Sequence, residues 1–281
     1  MLDRSEQNRF YRIVSEIILS LKNPSVKGLV KLRQSARRRR ELGRFPVEGF
    51  AEIEVGLAAK TTFPEAYCCP AFFRDRTEEA LLRRLEATGA TVTELGKDAF
   101  AKVAYREHPD GLFAVAEIWE LKTDRLSLGT DPLVLVLDEI EKPGNLGGIL
   151  RTADAFGVTA VLLADPALDF FNPNVIRASR GLSLSMPVAA GTKEEIFTYL
   201  LKQEIRILGS SAKNPRPLWE TDLKGATAII LGSEREGLGS FWRERFDEAL
   251  VIPMSGTADS LNVSVAASCF LSEAARQRRD G

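Results

Sequence analysis

The sequence predicts an α/β protein in which a smaller mixed domain precedes a mostly parallel sheet covered by helices. Three observations predict it. Five near-continuous apolar runs, LVLVLDEI, AVLLAD, IRILGSS, ATAIILGS and EALVIP, recur after residue 133. Strands buried on both faces read this way, unlike the alternating strands of a half-exposed sheet. Stretches long enough for helices separate most of them, as parallel connections require. Before residue 118 the strand patterns are shorter and alternate with helical ones, which suits a separate small α/β unit.

The N-terminal pattern places Ile13, Ile17, Ile18 and Leu21 at helical spacing, predicting a helix over 5–22 that Asn23-Pro24-Ser25 breaks. A second helix is expected over 25–43, ending at Gly43. FPVEG, a helix at 50–60, a strand through AYCCPAFF, a helix at 77–88, TVTEL, a helix at 97–105 and GLFAVAEI complete residues 1–118. The polar stretch 119–132, ending in Asp-Pro, reads as a linker to a second domain over 133–281.

Composition narrows the chemistry. The 281 residues are 44% hydrophobic and 27% charged, with a formal net charge of −1. No apolar run reaches the ~18–20 residues of a membrane span, and the charged N-terminus lacks a signal-peptide pattern, so no membrane partner is expected. The cysteines Cys68, Cys69 and Cys269 make neither a disulfide framework nor a C-x-x-C pair, which points to the reducing cytoplasm. His108 is the sole histidine and stands before the turn residues Pro109-Asp110-Gly111, arguing against a Ser-His-Asp hydrolase or a histidine-rich metal site. No metal is expected.

Charge is unevenly placed. From Lys22 to Arg44 nine basic residues accompany a single acid, Glu41. The run Arg37, Arg38, Arg39 and Arg40 would cover every side of a helix, and a concentrated positive segment in a nearly neutral chain favours a polyanionic partner, RNA or another phosphate polymer.

In a parallel sheet, ligands sit beyond the carboxyl ends of the strands, so the segments that follow the strands matter most. After LVLVLDEI comes EKPGNLGGILRTADAFG. Here Asn145 reads as the N-cap of a helix beginning at Leu146, Gly147 and Gly148 suggest close backbone approach, and Arg151 lies less than two turns in. After ATAIILGS, Gly232 ends the strand and Glu234 stands at its lip in a glycine-rich loop. After EALVIP, a loop of small polar residues leads into Ser260-Leu261-Asn262 and a last helix rich in Ala, Ser and Val. Such residues bury little apolar area each; they serve where a backbone or ligand must come close. The chain has neither G-x-G-x-x-G nor G-x-x-x-x-G-K-[ST], which argues against other nucleotide-dependent enzymes.

In order and spacing, KPGNLGGILRTADAFG, ILGSEREGLG and VIPMSGTADSLNVSVAAS resemble the three signature motifs of the SpoU (TrmH-type) branch of the SPOUT RNA methyltransferases. NPSVKGLVKL, RRRRELGRFPVEG and HPDGLFAVAE resemble the ribosomal-protein-like substrate-binding domain that many of these enzymes carry. The resemblance implies a deep trefoil knot, a homodimer with the site at its interface, and S-adenosyl-L-methionine as cofactor, held by main-chain groups around Ser210, Gly232, Ile252 and Leu261. It implies 2′-O-methylation of a ribose, ribosomal RNA ahead of transfer RNA, with a non-catalytic RNA-binding assembly factor as the competing reading. Arg151 matches the arginine assigned to the acceptor hydroxyl, and Asn145, Glu234, Ser260 and Asn262 match the other polar site residues. Arg180 matches a basic residue that contacts RNA.

Overall fold

The computed structural model describes residues 14–210, 215–233 and 237–279. In chain order the first elements are β1 (Val14–Ile18), α1 (Pro24–Gln34), α2 (Ala36–Leu42), β2 (Arg44–Glu48), α3 (Phe50–Ala58), β3 (Glu65–Cys68), α4 (Thr77–Ala87), β4 (Thr91–Leu95), α5 (Lys97–Val103) and β5 (Leu112–Glu117). There follow β6 (Leu133–Asp138), α6 (Pro143–Ala155), β7 (Ala160–Ala164), α7 (Pro173–Ala178), β8 (Val188–Gly191), α8 (Lys193–Lys202) and β9 (Arg206–Ser210). The chain closes with β10 (Arg216–Pro217), β11 (Thr227–Leu231), α9 (Ser240–Arg243), β12 (Glu248–Val251) and α10 (Val263–Arg279).

These elements form two units, one of residues 1–119 with 171–185 and one of 120–170 with 186–281. The first holds a five-stranded sheet in the order β1-β4-β3-β5-β2. β1, β4 and β3 run parallel, whereas β5 is antiparallel to both β3 and β2. Its core joins Val26, Leu29 and Leu32 of α1 to Phe100 and Val103 of α5 and to Phe113 and Val115 of β5. The second unit holds a seven-stranded sheet, β10-β12-β9-β11-β6-β7-β8, in which every neighbouring pair is parallel. Every residue of β6, β7 and β11 is buried, as strands covered on both faces must be. Ile196 and Leu200 of α8 and Trp242 of α9 pack on this sheet. A reciprocal capping box starts α8: the Glu195 amide donates to Thr192 Oγ1 and the Thr192 amide to Glu195 Oε2.

Several expectations are corrected. The described part of the expected 5–22 helix, from residue 14, contains the edge strand β1. Its β-branched Val14, Ile17 and Ile18 suit a pleated surface, and pairing with β4 outweighs a weak helical spacing. The single helix expected over 25–43 is two. Ser35 ends α1 and caps α2, its hydroxyl accepting the Arg38 amide at 3.2 Å. Residues 119–132 are not a free linker. Leu126 and Leu128 pack against the second unit's core, and the Ala190 amide donates to the Leu121 carbonyl. The largest departure concerns residues 171–185, which lie within the expected 133–281 domain yet belong to the first unit. Phe171 packs its ring 4.8 Å from Phe45 and 4.9 Å from Trp119, and Gly181, with φ of +84°, lies where a Cβ would stand 2.9 Å from the Glu52 Cα. Only glycine meets both conditions.

Candidate active site

All the strands of the second sheet end at one edge, so the segments leaving β6, β9, β11 and β12 gather there. Between them lies a cavity of about 490 Å³. Ser210, Gly232, Ile252 and Leu261 line it, as do Ser260 and Asn262. Six of the residues singled out from sequence thus share one space. Lys142, Met254 and Asp259 line it too. Sequence reasoning passed over them, although each stands in a segment already marked as following a strand.

Gly232 has a steric reason. The loop after β11 folds back so that Ser233 and Gly237 exchange both backbone hydrogen bonds, at 3.2 and 3.0 Å. A Cβ on Gly232 would stand 2.1 Å from the Gly237 carbonyl carbon, and backbone cannot step aside as a flexible side chain can. Glu234 lies outside the described residues.

The other wall is built by α6 and α10. Asn262 caps α10: its Oδ1 accepts the Ser264 amide at 2.9 Å and the Ser264 hydroxyl at 2.6 Å. Its Nδ2 donates to Asn145 Oδ1 at 3.4 Å, joining the first and last of the three motif segments. Contrary to expectation, Asn145 does not cap α6. Lys142 holds that position and Pro143 is the first helical residue, where its fixed φ and missing N–H suit a helix start. Asn145 is therefore inside the first turn. Small residues let the helices approach: a Cβ added to Gly148 would already stand 3.8 Å from the Ser264 Cβ, and the Thr152 and Ser268 hydroxyls lie 3.5 Å apart.

Arg151 is exposed and does not line the 490 Å³ cavity. It lines a broader groove of about 1030 Å³ along α6 and α10, together with Trp219, Val265 and Cys269. Ile252 lines both spaces, so cavity and groove adjoin through one side chain. Asp138, the last residue of β6, is buried, and burial pushes its carboxyl above the usual carboxylate range. Lys193 bridges Glu139 and Asp165, at 3.4 and 3.3 Å, past the ends of β6 and β7.

The arginine run divides. Arg37, Arg38 and Arg40 are exposed, the first two pairing with Glu41. Arg39 corrects the expectation of four surface arginines. It is 2% exposed, and its Nη1 donates to the carbonyls of Leu32 and Arg33 at 2.8 and 3.0 Å. One side of a helix must face the protein, and here the guanidinium meets carbonyls left unpaired at the end of α1. Arg180 is exposed in the first unit with φ of +53°. Among the described residues no cluster of three or more His, Cys, Asp or Glu could hold a metal, and no helix is long and apolar enough to cross a membrane.

Residues 132–272 match the family model described as the SpoU rRNA Methylase family, and residues 23–114 match an MRM3-like substrate binding domain. The chain belongs to the SpoU rRNA methylase family. This SpoU-family chain is 32% identical over 254 residues to the 23S rRNA (guanosine(2553)-2′-O)-methyltransferase RlmP of Bacillus subtilis, covering 90% of this chain and 97% of that protein. It superposes on a crystal structure described as an RNA 2′-O ribose methyltransferase with a TM-score of 0.80 and 34% identity, covering 93% of this chain and 98% of the other. It also superposes on the SpoU methyltransferase AviRb from Streptomyces viridochromogenes in complex with AdoMet. There the TM-score is 0.83 at 26% identity, covering 92% of this chain and 100% of that one.

The SpoU-family cavity suits a nucleoside-sized cofactor. Its volume lies in the range of small-molecule sites. Leu231, Leu250, Ile252 and Leu261 offer an apolar surface for a flat base, and Ser210, Ser260 and Asn262 offer polar groups among them. Gly232 and Gly237 both line the cavity and bring side-chain-free backbone to its wall.

Proposed function

We propose that this chain transfers the methyl group of S-adenosyl-L-methionine to the 2′-hydroxyl of a ribose in RNA, with large-subunit ribosomal RNA as substrate. The observation that carries the reading is convergence. Three segments more than a hundred residues apart at their extremes meet around one cavity, and Asn262 bonds Asn145 beside it. The B. subtilis relative named for 23S rRNA and the AdoMet complex of AviRb supply the substrate class and the cofactor.

When bound, the cofactor supplies a methyl group on a sulfonium whose leaving group is a neutral thioether. The chain must deal with the acceptor, since a ribose hydroxyl is a poor nucleophile until its proton is drawn away. Backbone around Ser210, Gly232, Ile252 and Leu261 holds the adenosyl part. The Arg151 guanidinium, in the adjoining groove, orients the hydroxyl and stabilises the developing alkoxide. It stays protonated through the reaction, and an RNA phosphate or water accepts the proton. Asn145 and Glu234 set the Arg151 geometry; Ser260 and Asn262 shape the floor of the acceptor pocket. Arg37, Arg38, Arg40 and Arg180 contact RNA phosphates, and the unit built on residues 23–114 grips the substrate.

The groove that Arg151 lines exposes Val265 and leaves Trp219 59% exposed. A second copy of the chain covers that apolar face, making the homodimer and completing the acceptor side of the site. The packing of α10 on α6 is what a threaded, knotted C-terminus would require, and the buried free thiols of Cys68 and Cys69 suit the cytoplasm.

The test is a transfer assay with methyl-labelled cofactor and deproteinised large-subunit rRNA. A ribose carrying a 2′-O-methyl group cannot attack its neighbouring phosphodiester, so label should survive alkali in dinucleotides. Label in mononucleotide bases, or none at all, would reject the reaction.

A further inference from the structure

Within the first unit, the loop Ala104–Asp110 meets the segment 171–185 beside the break between α1 and α2. A cavity of about 450 Å³ lies there, lined by Arg33, Gln34, Tyr105 and Asn174 among others. It is far too polar to be a packing defect, and among the described residues no hydrogen-bond partner takes the side-chain amides of Gln34 and Asn174 or the Tyr105 hydroxyl. Arg33 donates through Nη1 to the carbonyls of Val103 and Ala104, the former at 2.8 Å, while no partner among the described residues takes its Nε or Nη2.

Tyr105 is the unusual residue. The residue is 42% exposed, and the guanidinium of Arg177, itself exposed, sits 5.0 Å from the ring centroid. The loop beneath it is firmly held. The Glu48 carboxylate accepts the backbone N–H groups of both Tyr105 and Arg106, the latter at 3.1 Å. Arg106 in turn pairs with the buried Glu52 at 2.6 Å. Burial pushes the Glu48 carboxyl upward, so holding this loop costs desolvation of an acid. A rigid backbone thus presents an aromatic ring and a stacked guanidinium to solvent, next to a cavity with free amide groups. Exposed Lys27, Lys31, Arg37, Arg38 and Arg40 on α1 and α2 supply positive charge around it. Aromatic platforms with arginine, edge-reading amides and a basic surround are how proteins hold unpaired bases.

We propose that this cavity takes one unpaired nucleotide of an RNA, its base stacked on the Tyr105–Arg177 pair, its edge met by the Gln34 and Asn174 amides, and an adjoining phosphate met by Arg33. The inference rests on the reading of the protein as an RNA-binding enzyme and names where an extruded or single-stranded base is gripped, outside the site of methyl transfer. It also explains why the segment 171–185 joins the first unit. Asn174 and Arg177 come from it, so the base-gripping surface is composite in sequence.

Fluorescence anisotropy on the full chain tests it with two probes, an unstructured oligouridylate of about 20 nucleotides and an RNA duplex of similar length. Tyr105→Ala should weaken the single strand about tenfold and the duplex less than about twofold, because stacking acts only on unpaired bases. Tyr105→Phe should restore binding, since the ring face and not the hydroxyl carries the stack. Arg177→Ala should reproduce the loss and add little to Tyr105→Ala. Because Tyr105 is exposed, an unchanged melting temperature should accompany each variant. A parent chain that binds both probes while Tyr105→Ala binds as well as the parent, or loses affinity equally for both, overturns the nucleotide site alone. A parent chain that binds neither RNA overturns the reading it rests on.

Discussion

The two sheets of this protein gather chemistry in different places. In the second unit every neighbouring strand is parallel, so all carboxyl ends fall on one edge and the segments after β6, β9, β11 and β12 meet there. In the first unit β1, β4, β3 and β2 share one direction and only β5 opposes them, yet no segment that directly follows one of those four strands lines its polar cavity. Its polar cavity is lateral instead, formed where α1 ends, where the 104–110 loop is held by Glu48, and where residues 173 and 174 join from far along the chain. One unit concentrates small residues and glycine to admit close backbone approach. The other holds aromatic and cationic side chains in the open. On the proposed reading, the second unit serves transfer and the first serves grip.

That contrast can be broken or sharpened by experiment. The largest effect should come from Arg151→Ala, which on the proposed reading removes charge stabilisation at the reacting hydroxyl. Methyl transfer should fall by about 10²–10³-fold, while cofactor affinity measured by calorimetry stays within about twofold, because Arg151 lies in the groove and not in the cavity. Undiminished transfer would remove Arg151 from the chemistry, and lost cofactor binding would merge the two spaces that the structure separates. Next is Phe171→Ala. The residue is 7% exposed and its ring packs on Phe45 and Trp119, so its loss should destabilise the first unit by about 3 kcal/mol. Hydrogen exchange of β2 and β5 amides should quicken. Unchanged exchange would return residues 171–185 to the second unit.

The smallest effect concerns pH. Hydrogen bonds from Arg276, then Gln277, hold the Glu273 carboxyl at about 2, below its ordinary 4.5. A depressed acid stabilises the fold fully above its unfolded value and loses that contribution as pH falls through the folded one. The gain from Glu273 should therefore be complete above about pH 4.5 and fade toward pH 2. Near neutrality Glu273→Gln should cost no more than about 1 kcal/mol for a pair whose arginine is largely exposed, and acid titration of the variant should show a flatter limb between those values. An unchanged acid limb would show that Glu273 does not secure the end of α10, where Gln277 also bonds Thr221 and Leu223.

How much was legible in the sequence also differs between the units, and burial is the reason. LVLVLDEI, AVLLAD and ATAIILGS are apolar along nearly their whole length, and burial on both faces writes itself into every position of such a strand. The segments after them could therefore be found and their glycines and asparagines noticed. β1 could not. An edge strand with few buried positions carries a weak periodicity, and Ile13, Ile17, Ile18 and Leu21 mimicked a helix. Nor could Arg39 be told from its three neighbours, because which side of α2 faces inward depends on how α1 ends beside it.

By itself the sequence determined the α/β class, the strands of the parallel sheet, the loops that follow them and the concentration of positive charge near residue 40. These depend on local pattern, on what each residue must bury and which turn it can make. The tertiary structure alone decided that residues 171–185 pack with the first unit, that Asn145 meets Asn262 instead of capping its own helix, and that Tyr105 finds Arg177. Each joins positions dozens to more than a hundred residues apart, and nothing in a local pattern records which distant partner will satisfy a face, an amide or a ring.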